Sequence, residues 1–397
     1  MLGYRVERCE HQPMHYLGLT VFLIIVVFWF GQCVNAALSA RELPRLNNFA
    51  PAADADCPSI SLLFAARDEE EKLPIALESL LRIDYPKLEI VAVNDRSTDG
   101  TAQILSAAAR RDPRLRVVNL SALPRGWLGK PHALQRAFEG SQGEWLLFTD
   151  ADVRFAPDAL RKAVALAKEK QLEHLTLLCE LEMRGFWEKT ALTFFGLSFN
   201  MATNPRAVGN PASSAYMGIG AFQLVRRGAY EKSGTHKRLA MEVLDDMKLG
   251  KIVKQAGFQS GVGVAQDYIA VRWHAGFGNV VRGVTKNFFA VARFKLWMVV
   301  LQLALLFLVN FLPFLGLFFL HGWTWRLALI SALMAVGYHA ASAVVMKVSP
   351  FYGLTHPLGA IVFAYMLVRS TVVTLRQGGV LWRETFYPLE ELRRGLV

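Results

Sequence analysis

The stretch "GEWLLFTDADVRF", residues 143–155, decides how this chain is read. Four apolar residues, Trp145 to Phe148, run straight into Thr149, Asp150, Ala151 and Asp152. A short apolar run bounded by turn residues reads as a buried strand. Two carboxylates one residue apart at its end are costly unless a cation, a hydrogen-bond donor or water meets them. The local alternative is that Thr149–Asp152 merely caps a helix starting near Pro157.

Working outward, strand-like and helix-like runs alternate from Ser59 to about Glu180. "SISLLFA" (59–65), "LEIVAV" (88–93), "RVVNL", "EWLLF" and "LTLLCE" read as strands. Between them, Leu73, Leu77, Leu80 and Leu81 share one helical face, with Pro74 tolerated in the first turn. Ser97 or Asp99 can cap the next helix, and "KPHALQRAF" and "PDALRKAVALAKEK" read as two more. Such alternation predicts an α/β fold with a mostly parallel, Rossmann-like sheet covered by helices on both faces. Ligands bind such sheets beyond the carboxyl ends of the strands. Arg67–Glu70, Asp95–Asp99 and Asp150/Asp152 follow the first, second and fourth strands, so all three polar clusters fall at that one edge.

Two familiar phosphate-binding devices are missing there. "AARDEEE" stands where a G-x-G-x-x-G turn would follow the first strand, and no G-x-x-x-x-G-K-[ST] loop occurs. "DRSTDGTAQILS" (95–106) starts like a calcium loop, but its twelfth position is Ser106 where a bidentate Glu is required.

Hydrophobic residues make up 53% of the chain and are unevenly spread. Leu17–Val34 is uncharged and long enough to span a bilayer, and Trp297–Leu320, Leu327–Met346 and Leu358–Leu375 are similarly apolar. A cleaved signal peptide is the alternative for the first run, with "VNAA" (34–37) as its processing site. That run is longer than a signal core and is preceded by 16 residues, so a retained anchor is expected. The expected layout is a tail at 1–16, an anchor at 17–38 and a catalytic domain at 57–275. An amphipathic interfacial segment at 276–296, transmembrane segments at 297–375 and a second tail at 376–397 follow. The four cysteines show no metal or disulfide spacing. The net charge of +11 fits an anionic membrane face or a phosphate-bearing substrate. No nucleic-acid module or aromatic-interleaved basic stripe occurs, so nucleic acid is not expected as a partner.

At this point the motifs carry a resemblance. "LLFAARDEEEKLPIALESLL", "VAVNDRSTDGT", "GWLGKPHAL", "LLFTDADVRF" and "EVLDDMKLGKIVKQAG" follow one another as in family 2 glycosyltransferases of the GT-A fold. The likeness covers roughly Ser59–Ala290. "GFGNVVRGVTKNFFA", the terminal helices and the tail "GGVLWRETFY" look most like bacterial membrane enzymes that glycosylate carotenoids, hopanoids and related lipids.

The resemblance implies a nucleoside-diphosphate-sugar donor, UDP-linked, and a divalent cation, Mg2+ or Mn2+. One or two carboxylates plus phosphate oxygens suit such an open cation site. It makes Asp152 the direct metal ligand, with Asp150 beside it and closer to the sugar or ribose. Asp95 resembles the family's uracil- or ribose-binding carboxylate, and the Ala65–Ala66–Arg67 backbone would frame the base. Lys130 would sit near the nucleotide as a point charge, and Glu69 either joins the donor site or caps the first helix. In "VLDDMKL" the acidic pair makes Asp246 the expected general base, with Asp245 positioning it; a helix-start role for both is compatible. Arg272–Trp273 resembles the family's Arg–Trp pair, the cation facing diphosphate and the ring lining the acceptor site. Processive synthases carry Gln or Arg three residues earlier; Ile269 stands there instead, which speaks against polymerisation. "NPRAVGNPASSAYMGIGAFQLVRRGAY" (204–230) resembles the acceptor-side segment.

The expected activity is inverting transfer of one sugar to a membrane lipid, a carotenoid- or hopanoid-like terpenoid. It would occur at the inner membrane with the catalytic domain cytoplasmic. Phe277, Val280, Val281, Val284, Phe288 and Phe289, with Arg282 and Lys286 between them, read as a basic interfacial helix that would hold the reactive centre at headgroup level. The bland alternative is that these residues only pack a core. Polyprenyl phosphate or a surface polysaccharide is the alternative acceptor, and a non-catalytic nucleotide-sugar-binding or transport protein the distant one. A transporter would carry ionisable residues in several spans; Arg369 and His339 stand out here. Topology holds a conflict. Three full crossings after the domain would put the arginine-rich tail outside, against the positive-inside tendency, whereas Asn310 and Pro313 mark Trp297–Leu320 as a candidate re-entrant element.

Overall fold

The apolar runs of the middle segment form strands buried on both faces, which is why they read as continuous rather than alternating. In the computed structural model, residues 3–397 are described, with side chains from Tyr16 onward; residues 1–2 and the side chains of the expected amino-terminal tail lie outside the described residues. The strands are β1 (Ile60–Ala66), β2 (Leu88–Asp95), β3 (Leu115–Leu120), β4 (Trp145–Asp150), β5 (Val153–Phe155), β6 (His174–Leu178), β7 (Glu180–Leu181), β8 (Gln223–Arg226), β9 (Ser260–Val264), β10 (Ile269–Val271), β11 (Gly379–Trp382) and β12 (Thr385–Pro388).

The main sheet has the order β3-β2-β1-β4-β8-β6-β9. Leu62, Phe64, Ile90, Ala92 and Leu147 point to one core with Leu77, Leu80 and Leu105. Leu63, Val91, Val93, Leu146 and Phe148 point to the other with Leu134, Leu249 and Ile252. Burying each such side chain contributes roughly 1.5–3 kcal/mol before entropy is counted. The α/β expectation therefore holds, with one difference in the sheet. β8 runs antiparallel to both β4 and β6. It arises from residues 204–230, where glycines and prolines surround a strand of four residues, too short to show a period.

The chain divides into two compact units. One comprises Glu42–Glu182, Thr203–Ala275 and Val373–Val397. The sequence reading sets the tail at 376–397 apart from the domain at 57–275, whereas β11, β12 and the helix Leu389–Arg394 are built into this α/β unit. Buried Leu389 and Leu392 anchor that last helix.

The second unit comprises the residues up to Arg41, Met183–Ala202 and Gly276–Val372. The helix Phe186–Thr203, inside the expected catalytic domain by sequence, belongs mostly here, because Phe194 and Leu197 share a core with Phe22, Ile25, Trp29, Ala328 and Tyr338. Among the described residues, three helices are long and apolar enough to cross a membrane: Tyr16–Glu42, Gly322–Val345 and Pro350–Gln377. Leu296–Asn310 and Leu312–Phe319 form a pair bent by 47°. Leu23, Ile24, Val27, Phe30, Phe318 and Phe319 are exposed on this unit.

The expected interfacial segment is not one continuous helix. Residues 276–296 break into short helices, Phe277–Val284 and Phe288–Val291, and Arg293 and Phe294 take positive φ. Val280, Val281, Val284, Phe288 and Phe289 are buried. Arg282 is exposed beside them and Lys286 half-buried.

Candidate active site

Parallel pairing sets the carboxyl ends of three strands level. Ala65 is in register with both Val93 and Asp150, and Ala66 with Asn94. The loops that follow carry Arg67–Glu70, Asp95–Thr101 and Ala151–Asp152, so the three acidic clusters share one edge.

Lys72 Nζ donates to Asp152 Oδ2 at 2.8 Å and to the Trp273 carbonyl at 3.4 Å. Lys130 Nζ donates to Asp150 Oδ1 at 2.5 Å. Burial and the nearby Asp150 charge push the Asp152 carboxyl above the usual range, against the pull of Lys72. Burial works against the Lys130 ammonium, but Asp150, Asp245 and Asp246 outweigh it and hold the amine protonated above the usual lysine range. One lysine thus lies within the field of both the strand-end carboxylate and the acidic pair.

Those pairs bear on the expected metal. Asp150 and Asp152 offer carboxylate oxygens close together, each met by an ammonium group that stands where a cation would. Among the described residues, no cluster of three or more His, Cys, Asp or Glu forms a closed cage. The donor set therefore fits a hard cation completed by phosphate oxygens and water, not a structural metal.

The acidic pair opens the helix Asp245–Gln255. Asp245 is buried, whereas Asp246 is partly exposed. Asp246 accepts from the Gly220 amide through Oδ2 at 3.0 Å and from the Met247 amide through Oδ1 at 2.7 Å, so two backbone donors fix its plane. Gly220 is a residue that sequence reasoning missed. A Cβ there would stand 2.5 Å from Asp150 Oδ2 and 3.2 Å from Lys130 Nζ, so only glycine lets the backbone pass between the two acidic groups.

Arg272 and Trp273 follow β10, whose Val271 pairs with Val153 of β5, one residue beyond Asp152. The strand pairing thus brings residues 120 positions apart to the same place. Ile269 is buried in β10, opposite Phe155. His274 stacks near Trp273, with ring centroids 4.9 Å apart.

On the nucleoside side, Asp95 is 3% exposed and held by Arg96 through Nε at 2.7 Å and Nη2 at 3.0 Å. Ala66 is fully buried, so only its backbone can face a ligand. Arg67 Nη1 donates to Thr385 Oγ1 at 3.3 Å. Glu69 pairs with Arg383, and it is Glu70 that caps the helix after β2, accepting from the Gly100 amide at 2.7 Å. Burial first, then Asp152, pushes the Glu69 carboxyl up while Arg383 and Lys72 pull it down. Lys72, Arg96 and Arg383 were not singled out in the sequence, where each is one basic residue among 44.

The profile of the family described as Glycosyl transferase family 2 matches residues 61–234, from β1 through the helix after β8. This domain belongs to glycosyl transferase family 2. A beta-monoglucosyldiacylglycerol synthase of Nostoc sp. is 29% identical over 45% of this chain and 37% of its own. A 4,4'-diaponeurosporenoate glycosyltransferase of Staphylococcus haemolyticus is 25% identical over 58% of this chain and 60% of its own. The chain thus spans between about a third and three fifths of the length of these curated relatives. A mannosyltransferase from Pyrobaculum calidifontis, solved with GDP-Man and Mn2+, matches with TM-score 0.51 at 19% identity, covering 90% of this chain and 98% of its own. At that identity the likeness speaks for the GT-A fold. The family 2 match ends before Asp245 and Asp246, whose placement rests on the geometry alone.

Proposed function

We propose that this chain is a membrane-bound inverting glycosyltransferase that moves one sugar from a UDP-sugar to the hydroxyl of a lipid, a terpenoid of carotenoid or hopanoid type. The observation that carries it is the meeting of Asp150 and Asp246 around Lys130 and the Gly220 backbone. One carboxylate faces the donor side and the other can receive a proton.

In this reading Asp246, held by two amides, takes the acceptor's proton as the acceptor oxygen attacks the anomeric carbon. The bond to the diphosphate breaks on the opposite face, which inverts the configuration. Asp245 supports the helix start, Lys130 offsets charge beside Asp150, and Arg272 faces the departing diphosphate. Asp150 and Asp152 would hold Mg2+ or Mn2+, which when bound neutralises charge on the leaving group. Asp95, Glu69 and the Ala66–Arg67 backbone bound the nucleoside.

The lipid acceptor is supported by the names of the two curated relatives, one a glucosyldiacylglycerol synthase and the other acting on a carotenoid acid. The apolar exposed helices support an inner-membrane site with the catalytic unit in the cytoplasm, where nucleotide sugars reside. Diacylglycerol is the second reading, favoured by the first of those relatives.

The test is product analysis. Membranes with and without the protein, given a panel of nucleotide sugars and both lipid classes, should differ by one hexose-type mass on a terpenoid when UDP-sugar is supplied. Transfer to diacylglycerol selects the second reading. A sugar polymer, a soluble product or no transfer overturns both.

A further inference from the structure

The carboxyl-terminal hairpin touches every loop expected to hold the nucleoside. Arg383 pairs with Glu69, and its Nη1 donates to the Asp68 carbonyl at 3.3 Å. Thr385 receives Arg67, beyond β1. The buried Tyr387 hydroxyl accepts from the Gly129 amide at 3.1 Å, at the start of the helix Gly129–Glu139. Gly129 in turn packs against Arg96, the residue that grips Asp95 at the end of β2, since a Cβ on Gly129 would stand 3.0 Å from Arg96 Nη2. Gly129 is itself close-packed there, since a Cβ would stand 2.7 Å from Asp95 Oδ2.

The tail is held down at its far end too. The Val397 amide donates to Glu242 Oε2 at 3.1 Å, and Lys248 Nζ donates to the Val397 carbonyl at 2.6 Å. Its turn is built at a cost. Arg383 and Glu384 both have positive φ, 47° and 63°, where two-residue hairpin turns favour Asn and Gly.

We propose that the hairpin β11–β12 is a wall of the donor site. Tyr387 is a positioning residue that fixes Gly129 against the Asp95–Arg96 pair and so sets the carboxylate facing the nucleoside, and Arg383 clamps the hairpin to the loop after β1. This rests on the donor-site reading above. Its ligand is the nucleoside end of the donor, so its effect falls on donor affinity and not on the chemical step.

The experiment uses the full chain in detergent with UDP and Mn2+, measured by calorimetry, together with donor KM and kcat. Tyr387→Phe removes one hydroxyl and should raise the UDP Kd and the donor KM about tenfold, as one lost hydrogen bond does, with kcat within about twofold. Arg383→Ala should do the same, and Arg383→Lys should recover most of the binding; a substitution that merely loosened the fold would not be rescued by a lysine. Unchanged Kd in both variants, or a fall in kcat at unchanged Kd, overturns the proposal. A parent chain that binds no nucleotide overturns the donor-site reading instead, so the two failures are told apart.

Discussion

The two units bury polar groups in different ways. In the α/β unit the charged side chains gather at one sheet edge, where Lys72, Lys130 and Arg96 each meet a carboxylate of a loop that also carries backbone donors. In the helical unit the polar groups are spread along the helices and bonded in small, mostly neutral sets. His356 Nε2 lies 3.1 Å from Asn310 Oδ1, and His339 Nε2 lies 3.0 Å from Thr193 Oγ1. Trp29 Nε1 donates to the Val309 carbonyl at 3.0 Å. A cluster can hold and transform a charged ligand, whereas such small sets fix the register of helices that have little else to distinguish one contact from another. The lesson is that chemistry should be lost by changes in the first unit and stability by changes in the second.

The harshest test of that division is the metal. EDTA should abolish turnover, with Mg2+ or Mn2+ restoring it. Asp152→Asn should stay inactive on metal addition while its melting curve in detergent is unchanged. A fully active metal-free protein would break the comparison at its centre. Next comes the base. Asp246→Asn should lower kcat with a hydroxyl acceptor by roughly 10²–10⁴-fold and leave donor affinity alone, while Asp245→Asn does less. A carboxyl acceptor is already ionised near neutral pH and needs no base, so an Asp246→Asn variant at full rate would move the acceptor to that class.

A smaller loss is expected at Gly220. Gly220→Ala pushes a methyl group toward Asp150 and Lys130, and kcat should fall about tenfold, equivalent to about 1.4 kcal/mol of lost transition-state stabilisation. The least effect on activity belongs to the helical unit. His356→Leu removes the partner of Asn310 and should cost about 1 kcal/mol of stability, seen as a lower melting temperature at unchanged donor KM. An altered donor KM there would blur the two units into one.

Much of the α/β unit was legible because its strands are long, apolar and buried on both faces, and because the acidic motifs fall directly after β1, β2 and β4. The acidic pair was legible for the same reason, two carboxylates opening a periodic helix. β8 was not, being four residues among glycines and prolines. Nor was Gly220, whose role lies in the space beside it and not in its own chemistry. Lys72 and Arg96 lie inside quoted motifs, but their roles are visible only once the carboxylates they meet have positions. The segment 276–296 was legible in part. An apolar stripe has the same period whether it meets lipid or a protein core, and nothing in that period announces the breaks at Arg293 and Phe294.

The hairpin that closes on Glu69 and Gly129 also constrains how often the chain can pass through a bilayer. If the apolar helices cross a bilayer, a tail folded into the α/β unit stays on that unit's side, and the crossings between Ala275 and Val373 are then even in number. Gly322–Val345 and Pro350–Gln377 are long and apolar enough to supply two. The bent pair, with arms of 15 and 8 residues meeting at 47°, would in that case enter and leave by the same face. Under that parity Arg376, Arg383, Arg393 and Arg394 share the side of the α/β unit, an arrangement the positive-inside tendency favours if that side is cytoplasmic.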